Sequence, residues 1–170
     1  MLFRSEAHMK FNDAHVSHFE HPIAFNVIPY IGPILESGYC EEEWKIIQEL
    51  RKVLHKPELQ VMPTTVRVPV FNCHAASVTV QLGKEASLDE IRKVISEAKT
   101  PIYFSDDKRL DFPTSRTATG TRDVFMSRLR FLNGVKKGKW LQFWCLGDNL
   151  KKGAATNAVQ ILECLVERSK

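Results

Sequence analysis

The stretch Trp140-Leu141-Gln142-Phe143-Trp144-Cys145-Leu146-Gly147-Asp148-Asn149-Leu150-Lys151-Lys152-Gly153-Ala154-Ala155 contains the change of period that decides the fold. Trp140 to Leu146 is strongly apolar, which suits a strand at the centre of a sheet. Asp148 then stands at a helix N-cap position. Apolar residues follow at Leu150, Ala154, Ala155, Ala158, Ile161, Leu162 and Leu165, which mark one face of a final helix.

Upstream, Asp123 to Leu132 alternates, with Val124, Met126, Arg128 and Arg130 on one side and Phe125, Leu129 and Phe131 near the other. Ile102 to Phe104 is a short strand, and Ser87-Leu88-Asp89-Glu90 is a capping box that opens a helix to about Ala98. In Ala75 to Leu82, Val78 and Val80 alternate with Thr79 and Gln81, again a strand. Thr64 to Phe71 is expected to be another strand, with Pro69 marking an edge, bulge or break. Glu41 to Leu54 carries Trp44, Ile46, Ile47, Leu50, Val53 and Leu54 at helical spacing, with three glutamates in the first turn. The order helix, two strands, helix, several strands, helix predicts an α+β fold: a mixed, largely antiparallel sheet with helices on one face.

With 170 residues, 44% hydrophobic and 26% charged, the chain has one domain's worth of core, and wholesale disorder is excluded. The sequence contains no run of 18 apolar residues that could cross a membrane, and residues 1–8 lack the apolar core of a secretory signal, so the expected compartment is the cytoplasm. The net charge of +4, with lysines at 136, 137 and 139 and at 151 and 152, forms no basic stripe interleaved with aromatics; no nucleic-acid partner is expected. Cysteines 40, 73, 145 and 164 include no CxxC pair, so they read as reduced thiols and not as zinc ligands. Residues 1–20 carry His8, His15 and His18 but little periodicity. Leu2-Phe3-Arg4-Ser5 is also the translation of a common sequencing-adapter end, so this segment is expected to be a poorly defined artefact joined to a truncated reading frame.

His74 follows the Arg67-to-Phe71 run and has the near-neutral pKa of a general acid or base; a hydrogen-bonded strand-end histidine is the blander alternative. Cys73 points away from His74 if the chain is extended, which argues against a Cys-His nucleophile. Arg67, among Val66, Val68 and Val70, either pairs with a carboxylate or grips a ligand carboxylate with its planar fork. Glu42 and Lys45 share a helical face and could hold an ammonium and an anion, or simply each other. Asn149 and the lysines after it suit the amide or phosphate groups of a dinucleotide, while Gly153, Ala154 and Ala155 equally suit close helix packing.

Taken in order, four runs closely resemble aspartate-semialdehyde dehydrogenases: His21-Pro22-Ile23-Ala24-Phe25-Asn26-Val27-Ile28-Pro29; Gly38-Tyr39-Cys40-Glu41-Glu42-Glu43-Trp44-Lys45; Val66-Arg67-Val68-Pro69-Val70 with His74; and Asp148 to Gln160. The resemblance covers about residues 19 to 166. It implies the C-terminal half of a glyceraldehyde-3-phosphate-dehydrogenase-like fold: 21–147 as a substrate-binding and dimerisation domain and 148–170 as a helix that packs back on an NADP-binding domain. The family's reaction is NADPH-dependent reductive dephosphorylation of L-aspartyl-4-phosphate to aspartate semialdehyde, on the path to diaminopimelate, lysine, methionine and threonine. By carry-over, His74 is the acid/base residue, Arg67 grips the substrate carboxylate, Glu42 the ammonium, Lys45 the phosphate, and Asn149 faces NADP. A homodimer built through the sheet is implied as well.

The family's glycine-rich NADP-binding half and its Asn-Cys nucleophile segment have no counterpart in these 170 residues, so the chain alone is expected to be inactive. Within the matched part, Cys73 and Ser127 stand where the family usually has glycine, Ala75 where it has serine, and Cys40 where it has a helix-capping threonine. The alternative reading is a stand-alone, non-catalytic dimerisation module. The apolar face kept from Ala154 to Leu165 speaks against that alternative.

Overall fold

The computed structural model describes residues 19–98, 102–105 and 112–169. The sequence-defined segment 1–20 therefore lies almost wholly outside the described residues. The described residues group into two bodies, one up to Pro69 and one from Val70 onward.

In the first body, helix α1 (Glu41–Val53) begins with three glutamates and ends with Arg51 and Lys52, as the helix dipole favours. Ile47 and the N-cap residue Cys40 are buried, together with Ile28. The expected strand from Thr64 to Phe71 is not formed. Arg67 makes a single antiparallel bridge to Ile28, its N–H donating to Ile28 O at 2.8 Å and its carbonyl accepting from Ile28 N at 3.0 Å. Pro63 and Pro69 supply no N–H, so a ladder cannot extend far on either side of that bridge.

The second body is a four-stranded sheet in the order β1–β4–β3–β2, formed by β1 (His74–Gln81), β2 (Ile102–Ser105), β3 (Val124–Phe131) and β4 (Trp140–Gly147). β4 lies inside the sheet, antiparallel to β1 and to β3, and β2 pairs with β3 in parallel. The apolar run from Trp140 thus occupies the central position its composition suits. In β3 the simple alternation is interrupted by a bulge between Ser127 and Arg130, where Arg128 takes φ 56°.

Opposite residues of an antiparallel pair share a face, so Leu141 and Leu146, five apart, look to opposite sides of β4. On one side Leu141 and Leu129 pack with Ile95, and Leu88 and Ile91 join them from the same face of helix α2 (Leu88–Ser96). Burying each of Ile95, Leu129 and Leu141 contributes about 1.5–3 kcal/mol, and the partly buried Leu88 and Ile91 add less. Ser87 caps α2 as expected, accepting the Glu90 N–H at 3.2 Å while Glu90 accepts the Ser87 N–H at 2.7 Å. On the other side, Leu146 and Phe125 meet Ala118 of the one-turn helix α3 (Ser115–Ala118), with Cys73 and Trp144 packed alongside. That second cluster sits at the end of the sheet where β1 starts.

The final helical segment opens with a π-turn, Lys151–Ala155, before the regular helix α4 (Thr156–Arg168). Asp148 caps it as the sequence predicts, its Oδ1 accepting the N–H groups of Leu150 (2.8 Å) and Lys151 (2.9 Å). Gly153 N donates to Asp148 O at 2.9 Å, the five-residue reach of a π-turn. No residue of α4 is buried; Val159, Ile161, Leu162, Leu165 and Val166 are all at least half exposed. No helix among the described residues is long and apolar enough to cross a membrane.

The lysine cluster near 136 is a solvated loop. Lys136 pairs with Glu85, and Lys139 Nζ donates to Gly83 O at 2.8 Å. Lys152, at the helix start, donates to Gln160 Oε1 at 2.5 Å, so one of the two lysines expected to face an anion is engaged within its own helix.

Candidate active site

The five sequence-predicted site residues divide between the two bodies. Glu42, Lys45 and Arg67 belong to the first. Glu42 and Lys45, three apart on α1, form an ion pair of 3.0 Å with both side chains partly in solvent. The lysine's proton is held above the usual lysine range by that bond and by the glutamate's charge. Arg67 is half-buried at its bridge to Ile28, and its guanidinium carbon lies 4.9 Å from the Phe19 ring centroid. It meets no carboxylate among the described residues.

The segment carrying Arg67 is tied to α1 by Glu43, a residue the sequence reading passed over. Its carboxylate is buried and accepts the Cys40 N–H and the Thr65 N–H, each at 2.9 Å. Those two bonds, the Cys40 one foremost, keep it ionised below the usual glutamate range. Cys40 Sγ and Thr65 Oγ1 add a contact of 3.1 Å. The signal was present as N-cap-x-x-Glu spacing in Cys40 to Glu43, disguised because cysteine replaced the usual hydroxyl residue.

His74 and Asn149 belong to the second body, where Asn149 bonds the residue before His74. His74 is exposed and opens β1 opposite Gly147, the last residue of β4. Asn149 lies two residues past Gly147, and its Oδ1 accepts the N–H of Cys73 at 2.8 Å. Cys73 has φ 80°, a left-handed conformation that favours glycine. Its thiol donates to Ser115 O at 3.3 Å, toward α3. Asp148, beside Asn149, is buried, and its Oδ2 accepts the Gly120 N–H at 2.7 Å just past α3. The Gly120 bond leads, with those from Lys151 and Leu150, in holding its carboxyl below the usual aspartate range.

These two constellations define the class: an α+β domain whose sheet ends in an exposed histidine, beside a helix start that carries polar groups, with an ion pair and an arginine on the other body. A family model described as semialdehyde dehydrogenase, dimerisation domain, matches residues 4–152, and the chain belongs to that family. The aspartate-semialdehyde dehydrogenase of Aquifex aeolicus is 40% identical over 149 residues, covering 88% of this chain and 43% of that protein. The Bacillus subtilis enzyme of the same name is 38% identical over 144 residues, 84% of this chain and 41% of its own length. The crystal structure of aspartate semialdehyde dehydrogenase II complexed with ASA from Vibrio cholerae superposes with a TM-score of 0.86 at 34% identity, over 98% of this chain and 48% of that one. The chain thus spans less than half the length of these relatives.

Proposed function

We propose that this chain supplies the substrate-binding and acid/base half of an NADP-dependent aspartate-semialdehyde dehydrogenase that works as a cytoplasmic homodimer. The supporting observation is that Asn149, at the helix start, holds the N–H of Cys73, the residue before His74. In this reading His74 moves the proton and the Asn149 side chain meets the cofactor. Asn149 suits that role: its Oδ1 is occupied by Cys73, while its Nδ2 has no partner among the described residues and keeps two donors for a ligand carbonyl. The cofactor, when bound, supplies the hydride.

In this reading the substrate is L-aspartyl-4-phosphate. Arg67 receives its α-carboxylate in a bidentate fork. Glu42 takes the ammonium and Lys45 the phosphate, each exchanging its present partner for a substrate group of the same sign. A cysteine from the segment that the family carries outside these residues attacks the acyl phosphate, and phosphate leaves. His74 takes the thiol proton and returns a proton as the thioester is reduced to the aldehyde. The exposed apolar residues of α4 are the surface that docks on the NADP-binding domain.

The test joins the chain to an NADP-binding half that carries the Asn-Cys segment and follows phosphate-dependent reduction of NADP by aspartate semialdehyde. Turnover is expected in the joined enzyme and not in the chain alone, and His74→Asn should lower kcat by about 10²–10⁴-fold. Full activity of His74→Asn would remove the histidine from the chemistry.

A further inference from the structure

We propose that Asp148 and Asn149 together form a positioning device for His74, acting through the backbone of Cys73; the proposal rests on the acid/base reading of His74 given above. Both polar hydrogens of Cys73 are engaged: its N–H with Asn149 Oδ1 at 2.8 Å and its S–H with Ser115 O at 3.3 Å. A cysteine at φ 80° is strained, and such strain persists where its surroundings over-determine it. The two bonds come from different elements, one from the segment after β4 and one from α3. Asp148 ties those two elements to each other, since its Oδ2 holds the Gly120 N–H just beyond α3. Its Oδ1 holds Leu150 and Lys151, so the Asn149 backbone is gripped from before and after.

The closed circuit therefore runs from Cys73 to Asn149, to Asp148, to Gly120 and back through α3 to Cys73. His74 is the next residue along the chain, and its backbone direction is set where the circuit fixes the left-handed turn. Asn149 uses its oxygen for this purpose and keeps its nitrogen for a ligand, so one side chain couples the pose of the histidine to the occupancy of the helix start.

The experiment uses the full chain, without substrate or cofactor. Amide hydrogen exchange is measured in parent, Asn149→Ala and Asn149→Asp, and the backbone conformation of His74 is followed by its Cα and Cβ chemical shifts in NMR. In Asn149→Ala the Cys73 amide should exchange about tenfold faster, the loss of one well-made hydrogen bond. The His74 backbone shifts should move with it, while Phe143 in β4 keeps its protection. Asn149→Asp retains an acceptor oxygen and should restore Cys73 protection and the His74 backbone shifts. Parent-like Cys73 exchange and His74 backbone shifts in Asn149→Ala would overturn the proposal, as would equal acceleration at Cys73 and Phe143, which is general loosening of the sheet. Because His74→Asn in the joined enzyme is read by turnover, failure of the catalytic reading and failure of the positioning circuit give different results.

Discussion

Asp148 and Gly120 stand 28 residues apart, and the Gly120 N–H donates to Asp148 Oδ2 at 2.7 Å. With Leu150 and Lys151 on Oδ1, one buried carboxylate closes the end of the sheet that carries His74. Its folded pKa lies below the unfolded value, as does that of Glu43 in the other body. Both contributions to stability are therefore complete above the unfolded carboxylate pKa of about 4 and are lost as pH falls through the lowered folded values. Urea midpoints measured from neutral pH downward should drop on that acid limb. Asp148→Asn should be less stable than the parent at neutral pH and lose less on acidification. A parallel acid profile for parent and variant would show that Asp148 carries no part of it.

Much of this arrangement was legible beforehand, for reasons that differ by element. β4 and α2 announce themselves because burial on both faces and an explicit capping box leave little freedom. The stretch around Arg67 misled because β-branched composition suggests a strand, while the prolines at 63 and 69 confine pairing to one bridge. Glu43 escaped notice because its partner Thr65 is 22 residues away and only the fold brings them together. The Asn149–Cys73 bond spans 76 residues and has no local signature at all. The resemblance of whole runs proposes site residues; it carries no sign of the hydrogen bonds around them.

Cys73 is the first place where departure from the family pattern has a measurable consequence. A left-handed residue other than glycine costs about 1–2 kcal/mol, against about 0.5–1 kcal/mol of extra chain entropy that glycine brings to the unfolded state. Cys73→Gly should therefore raise stability by up to about 1 kcal/mol, even though it gives up the thiol contact to Ser115. Cys73→Val, β-branched at φ 80°, should be clearly destabilising. Chemical denaturation of the three proteins decides the matter: if glycine is the least stable of them, the thiol contact outweighs the backbone strain.

Ser127 is the second. It is fully buried at the β3 bulge, and its Oγ has no hydrogen-bond partner among the described residues. A buried hydroxyl without a partner costs about 1–3 kcal/mol. Ser127→Ala keeps the volume close to that of the parent, removes the hydroxyl and should stabilise the chain by about 1 kcal/mol. A fall in the denaturation midpoint of that variant would mean the hydroxyl is satisfied in solution.

Arg67 offers the sharpest test of the binding reading, because its neighbours leave its chemistry exposed. The guanidinium is stacked at 4.9 Å on Phe19 and pairs with no carboxylate among the described residues, so replacing it breaks no salt bridge among them. Lysine keeps the charge but loses the planar, two-pronged donor set and the stacking geometry. In the joined enzyme, Arg67→Lys should raise KM for aspartate semialdehyde about 10–100-fold, the loss of a charge-assisted hydrogen bond, with kcat changed much less. Lys45→Ala, by contrast, should weaken phosphate more than semialdehyde, because the ammonium it removes is the group assigned to the anion. If Arg67→Lys leaves KM unchanged while the Tm falls, Arg67 is a structural cation held by Phe19, and the carboxylate must be read elsewhere.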